Sequence, residues 1–67
     1  MEALRFATFD RPGLLAELRR LSAREIPGRR TSNGAVYRSG MNGQILRVTR
    51  GTTGRYAVEY FPSCASC

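Results

Sequence analysis

Apolar and polar residues alternate most regularly between residues 33 and 61. Three short alternating runs lie there, separated by the pair Asn42 and Gly43 and by residues 51–54, which begin and end with glycine. Alternation with a period of two is typical of half-buried β-strands, and breaks marked by glycine are typical of turns. The pattern therefore predicts a three-stranded antiparallel meander over residues ~35–61.

The residues before the meander predict one strand and one helix. Residues 2–9 alternate well enough for a first strand. Asp10 is a strong N-cap, and Pro12 falls in the first helical turn, where its missing N–H costs nothing. Pro27 disfavours helical backbone in the residue before it, so the helix is predicted to span residues ~11–26. Leucines follow the N-cap at helical spacing: Leu14, Leu18 and Leu21.

These elements predict a small α+β domain with the order β-α-β-β-β. The helix should cover one face of the sheet, and the first strand is placed beside the last strand of the meander. We expect one domain over residues 1–62 and a C-terminal tail over residues 63–67. A chain of this size buries only about 60% of its unfolded surface, so a homodimer that supplements the core is left open.

The two turns predict how the strands pair. Asn-Gly is the preferred pair for a two-residue type I′ hairpin, which would place Arg38 opposite Arg47 and Tyr37 opposite Val48. A three-residue second turn over residues 52–54, with Gly54 in a G1 bulge, would place Val48 opposite Val58. An even-length second turn would place Val48 opposite Ala57 and mix the two faces of the sheet, so we favour the bulged turn.

This pairing divides the meander into two unlike faces. The face expected under the helix is aromatic and aliphatic: Tyr37, Leu46, Val48, Tyr56, Val58 and Tyr60. The opposite face carries a charged row with small or apolar neighbours: Arg38, Arg47, Glu59, Val36, Thr49, Ala57, Ile45 and Phe61. Two arginines directly opposite each other destabilise a strand pair. Glu59 beside Arg47 relieves part of this repulsion, and a phosphate or an acidic partner would relieve the rest.

Composition strengthens the expectation of an anionic partner. The chain has 67 residues and a formal net charge of +6, and all eleven basic residues are arginine. Guanidinium groups bind phosphate with two parallel hydrogen bonds and also stack on bases. A GC-rich genome would favour arginine over lysine whatever the function, but it would not explain the net charge.

Several function classes find little support. No apolar run approaches the roughly 20 residues of a membrane span, so we expect a soluble cytoplasmic protein with no membrane partner. Histidine is absent, which removes the commonest general base and metal ligand. Cys64 and Cys67 form a C-x-x-C pair, but zinc needs four ligands and the chain has only two cysteines and no histidine. We therefore expect no metal, no cofactor and no enzymatic activity.

The leading hypothesis is a non-enzymatic protein that binds DNA or RNA through phosphates. Arg29 and Arg30 lie in a loop predicted over residues 27–34 and would act as a clamp beside the sheet. The candidate binding residues are arginines of the sheet and its loops: Arg29, Arg30, Arg38, Arg47, Arg50 and Arg55. The alternative is a small phage- or plasmid-type accessory protein that binds an acidic protein, with Ile45 and Phe61 as an apolar patch.

A third hypothesis comes from a resemblance. The fragments Leu46-Arg47-Val48 and Arg55-Tyr56-Ala57-Val58-Glu59-Tyr60 resemble the strand pair of RelE/ParE-type toxins. The overlap covers residues 46–60, and the chain has one predicted helix where that family usually has two. The resemblance implies a ribonuclease toxin fragment in which Arg47, Arg55 and Tyr56 serve messenger-RNA cleavage.

Overall fold

A computed structural model describes residues 5–62, which form one helix and a five-stranded antiparallel sheet. The strand order is β1-β5-β4-β3-β2, so the predicted α+β fold and the place of the first strand beside the last are confirmed. Residues 2–4 of the predicted first strand and the predicted tail lie outside the described residues. The elements are β1 Arg5–Phe9, α1 Arg11–Arg20, β2 Arg24–Glu25, β3 Gly34–Arg38, β4 Ile45–Arg50 and β5 Tyr56–Phe61.

The core lies between α1 and one face of the sheet. Leu46 and Val58 are 0% exposed and Tyr60 is 2% exposed, and they pack against Leu14 and Leu21 at the two ends of the helical leucine stripe. Burying each aliphatic side chain of this kind contributes about 1.5–3 kcal/mol. The predicted core face is confirmed, with its two outer tyrosines only partly buried. Over residues 5–62, no helix has the length and apolar character needed to cross a membrane.

The start of α1 follows the prediction closely. The Asp10 carboxylate accepts a hydrogen bond from the Gly13 N–H at 2.9 Å, which satisfies one of the donors left open at a helix start. Pro12 lies in the first turn. This cap fixes the direction in which the chain leaves β1, so that the leucine stripe lies over the sheet.

The predicted end of α1 is wrong, because the helix stops at Arg20. Ser22 has a φ of 50° and terminates the helix in a left-handed conformation. The Ser22 N–H donates to the Arg19 carbonyl at 3.0 Å, and the Ala23 N–H donates to the Leu18 carbonyl at 2.8 Å. This is the Schellman arrangement, in which glycine normally takes the left-handed position. The chain then turns back early enough to form β2.

Replacing Ser22 with glycine should stabilise the fold. A side chain in left-handed backbone costs roughly 1–2 kcal/mol, and glycine avoids this cost. About half of the benefit is offset, because glycine gives the unfolded chain more conformational freedom. We expect urea unfolding to give a free energy of unfolding about 0.5–1 kcal/mol higher than that of the wild type. Ser32→Gly is the matched control, because φ at Ser32 is not positive. A gain at Ser32 as large as at Ser22 would contradict this explanation of the helix end.

The predicted turn between β3 and β4 is also wrong. Tyr37 pairs with Leu46 and Arg38 with Ile45, which displaces the pairing by two residues from the one predicted. A type I′ turn needs positive φ at both central residues, but Gly43 has it and Asn42 does not. Because side chains alternate with a period of two, an even displacement leaves every residue on its predicted face.

The physical reason is a contact between this turn and the end of the helix. Ser39 is 2% exposed, and its hydroxyl donates to the Leu21 carbonyl at 3.2 Å. The Gly40 N–H donates to the same carbonyl at 3.0 Å, and the Gly43 N–H donates to the Ser39 carbonyl at 3.1 Å. The loop thereby satisfies a carbonyl at the helix C-terminus, which a two-residue turn could not reach.

The predicted three-residue turn between β4 and β5 is confirmed. Val48 pairs with Val58 and Leu46 with Tyr60. Gly54 has a φ of 76°, as the bulged turn requires. This pairing places Arg47 and Glu59 on the face opposite the helix.

Candidate nucleic-acid interface

Helix α1 covers one face of the sheet, and no other described element covers the opposite face. We call this opposite surface the bare face. It contains an open depression of about 560 Å³ formed by β3, β4, the end of β5 and the loop after β2. The bare face includes Phe6, Arg24, Ile26, Arg29, Val36, Arg38, Ile45, Arg47, Glu59 and Phe61.

Two arginines of the bare face lie directly opposite each other. Arg24 in β2 pairs with Arg38 in β3, and both are exposed. Within residues 5–62, neither of them makes an ion pair with a carboxylate, and the same holds for Arg29. Like charges opposite each other cost the strand pair stability. An anion bound between them would remove that cost.

The predicted pairing of Arg38 with Arg47 is wrong, because the displaced register moves Arg38 beside Ile45. Arg47 lies between Val36 and Glu59, so its predicted position beside Glu59 is confirmed. The Arg47 Nε donates to Glu59 Oε1 at 2.7 Å, and its guanidinium lies 5.7 Å from the ring centre of Phe61. Arg47 is therefore partly neutralised, unlike the arginines on β2 and at the end of β3.

The structure divides the six predicted binding arginines between different surfaces. Three of them line the depression of the bare face: Arg29, Arg38 and Arg47. Two lie on the helix side of the sheet: Arg30 and Arg50. Arg55 lies in the turn before β5 and lines neither surface. The predicted clamp is thus split, because neighbouring loop residues point to opposite sides of the sheet.

Sequence reasoning missed Arg24 as a binding residue, because the helix predicted over residues ~11–26 contained it. The sequence has no apolar–polar alternation that marks β2, because Arg24 and Glu25 are both charged. In the structure Glu25 is on the helix side and forms two hydrogen bonds with Arg30, at 2.7 and 3.0 Å. These bonds lower the pKa of the Glu25 carboxyl.

Two further arginines are occupied by a polar network on the helix side. Glu17 accepts hydrogen bonds from Arg20 at 2.9 Å and from the buried Tyr60 hydroxyl at 2.7 Å, and the Arg5 guanidinium lies 3.5 Å away. The Arg20 hydrogen bond is the main cause that lowers the pKa of Glu17. Burial is the main cause that raises the pKa of Tyr60. We assign this network to the attachment of α1 to the sheet.

The lowered pKa of Glu17 predicts a pH-dependent contribution to stability. The contribution is complete above the unfolded pKa of about 4.5 and is lost as pH falls through the lower folded pKa. At pH 7, Glu17→Gln should reduce the free energy of unfolding by about 1–2 kcal/mol. Urea unfolding between about pH 2 and 7 should show the two proteins converging below about pH 4. Parallel curves over this range would contradict the assignment.

The residues that the toxin resemblance implicates do not share one surface. Arg47 projects from the bare face, whereas Tyr56 is on the helix side and packs against the core. Their side chains alternate to opposite sides of the same β-hairpin. Comparison with protein-family models, curated proteins and solved structures finds no match for this chain. The functional proposal below therefore depends on the geometry of the described residues.

Proposed function

We propose that this protein binds nucleic acid through the bare face, without catalysis. The observation that carries the proposal is the Arg24–Arg38 pair, two guanidinium groups on facing strands that form no ion pair within residues 5–62. Arg29 lines the same surface from the adjoining loop and Arg47 lines it from β4. Phosphates are the anions that repeat along a polymer and accept two hydrogen bonds from a guanidinium. A phosphate between the facing arginines would replace repulsion with two charge-assisted contacts.

The apolar residues of the bare face favour single-stranded over double-stranded nucleic acid. Phe6 is 63% exposed and lies across β5 from Arg47, with Glu59 between them. Phe61 lies beside Ile45 on the same face. Unpaired bases stack on aromatic side chains, at about 1–3 kcal/mol per base, whereas paired bases within a duplex are not available for this contact. The proposal places the protein in the cytoplasm, where RNA and single-stranded DNA intermediates occur.

The proposal predicts strongly salt-dependent binding. Each phosphate contact releases a counterion, with a slope of about −0.7 per contact for single strands. Three contacts would weaken the affinity roughly tenfold to twentyfold between about 50 and 200 mM salt. Fluorescence anisotropy with labelled single-stranded RNA, single-stranded DNA and duplex of one sequence measures this directly. Absence of binding at low salt, or binding indifferent to salt, would refute the proposal.

A second candidate is an acidic protein surface, as for a phage- or plasmid-type accessory protein. The observation that favours it is the apolar residues between the arginines, which would suit a protein contact: Ile26, Val36, Ile45 and Phe61. A macromolecular partner retained by the tagged protein after treatment with DNase and RNase would support this candidate. Loss of the partner on nuclease treatment would support nucleic acid.

A further inference from the structure

A second cleft lies on the helix side of the sheet, between the first half of α1 and the strands β3 and β4. Its volume is about 400 Å³, within the range of about 300–1,000 Å³ that is usual for small-molecule sites. It remains open because the core contacts of α1 lie towards β4 and β5, so the helix leaves the β3 side of the sheet uncovered. Its lining includes Arg11, Leu14, Arg30, Tyr37, Arg50 and Tyr56.

The lining combines two chemical features. Tyr37 and Tyr56 are partly buried, pack against the core cluster and line the cleft beside Leu14. Three arginines from different elements also line it: Arg11, Arg30 and Arg50. In the described part of the chain, no carboxylate contributes to the lining. The cleft thus offers aromatic and aliphatic surface for a planar ring beside a concentration of positive charge.

The arginines retain donors for a ligand. Within residues 5–62, Arg11 and Arg50 make no ion pair. Arg30 uses its Nε and Nη2 on Glu25, at 3.0 and 2.7 Å, so the donors on Nη1 remain for a phosphate. The ion pair with Glu25 also holds the Arg30 guanidinium on the helix side of the sheet. Because the side chain is already ordered, it loses less conformational entropy when a ligand binds.

We infer that this cleft binds a single nucleotide, either free or at the end of a strand. The base contacts Tyr37 and Tyr56, and the phosphate is bound by the guanidinium groups of Arg11, Arg30 and Arg50. Charge complementarity requires an anion, and the aromatic and aliphatic wall requires a planar apolar ring. A nucleotide joins both in one molecule. The inference does not depend on the function proposed for the bare face, because no residue is shared between the two surfaces.

NMR titration of the whole chain with AMP, adenosine and inorganic phosphate tests the inference. We expect the dissociation constant for AMP to be at least about tenfold lower than those for adenosine and for phosphate, because only AMP uses both features. A trinucleotide with a 5′-phosphate separates the two sources when the shifts of the cleft residues are followed: tighter binding at the cleft than AMP indicates a strand end, and equal or weaker binding there indicates a free nucleotide. Equal affinities for AMP and phosphate, or preference for an oligoglutamate peptide, would overturn the inference.

Matched variants locate the site and keep the test independent of folding. Arg50→Gln should weaken AMP binding about tenfold, whereas Arg55→Gln, at a residue that lines neither surface, should leave it unchanged. Tyr37→Leu removes the stacking surface and should reduce AMP affinity while leaving phosphate affinity unchanged. Equal losses for Arg55→Gln and Arg50→Gln would contradict the location. If oligonucleotides bind the bare face but AMP does not bind, only this inference fails; if AMP alone binds, only the proposed function fails.

Discussion

Replacing Gly34 with alanine should remove most of the stability of the fold. Gly34 begins β3, and a Cβ built there would overlap the Val48 carbonyl oxygen and lie 2.9 Å from the Val48 carbonyl carbon. Both atoms belong to the backbone of β4, so they cannot move aside without opening the β3–β4 pairing. Overpacking of this kind costs about 1–3 kcal/mol or more, against a margin of about 3–5 kcal/mol for such a small domain.

Far-ultraviolet circular dichroism and urea unfolding check this prediction. Gly28→Ala is the matched control, because the same methyl group meets no atom within 4 Å and costs only the strain of a positive φ, about 1–2 kcal/mol. The Gly28→Ala control should still unfold cooperatively, at a lower urea concentration than the wild type. A Gly34→Ala protein that unfolds at the wild-type urea concentration would show that β3 and β4 pair differently.

Replacing both Arg24 and Arg38 with glutamine should weaken nucleic-acid binding about 100-fold. A hydrogen bond to a charged group contributes about 1.5–3 kcal/mol, and each 1.4 kcal/mol corresponds to a factor of about ten in affinity. The same double variant should be slightly more stable, by about 0.2–1 kcal/mol, because it removes two like charges from facing positions. A loss of affinity together with a gain in stability would distinguish residues that bind a ligand from residues that support the fold.

A charge-matched control separates local contact from general attraction. Arg19→Gln with Arg55→Gln also removes two exposed positive charges, but neither residue lines the bare face or the cleft. We expect this control to weaken binding less than about fivefold, through the loss of long-range attraction alone. Equal losses in the two double variants would mean that binding follows net charge and has no defined site.

The features that sequence reasoning predicted correctly depend on short-range chemistry. The β4–β5 register follows from one glycine that adopts positive φ and from apolar residues that must share a face, so local pattern and fold agree. The start of α1 follows in the same way from Asp10 and Pro12. The face assignment of Tyr37 and Arg38 was also correct, although the register was not, because the displacement was even.

The errors arose where distant residues decide the local structure. No glycine marks the end of α1. Ser22 adopts its left-handed conformation between Leu18 and Ala23, which are hydrogen-bonded to each other and both pack against the core. The predicted two-residue Asn42–Gly43 turn does not form, because a longer loop lets the Ser39 hydroxyl bind a carbonyl at the helix C-terminus. Both errors have one consequence for function: the early helix end creates β2, and β2 supplies the arginine that faces Arg38.

The candidate site was therefore only partly predictable. Alternation in β4 identified Arg47 and its neighbour Glu59, because the strand was correctly placed. The loop gave no means to tell that Arg29 and Arg30 face opposite sides, since the Arg30–Glu25 pair depends on where β2 lies. The second cleft could not be foreseen, because the sequence indicates the core face but not how much of it a ten-residue helix covers.

The salt dependence of single-strand binding, compared between the wild type and the Arg24→Gln, Arg38→Gln variant, tests the central claim most directly. Each arginine that contacts a phosphate contributes about 0.7 to the slope of log affinity against log salt. The account predicts that the slope becomes shallower by about 1.4 in the double variant and changes little in the Arg19 and Arg55 control. Identical slopes for the wild type and the Arg24 and Arg38 variant would contradict it.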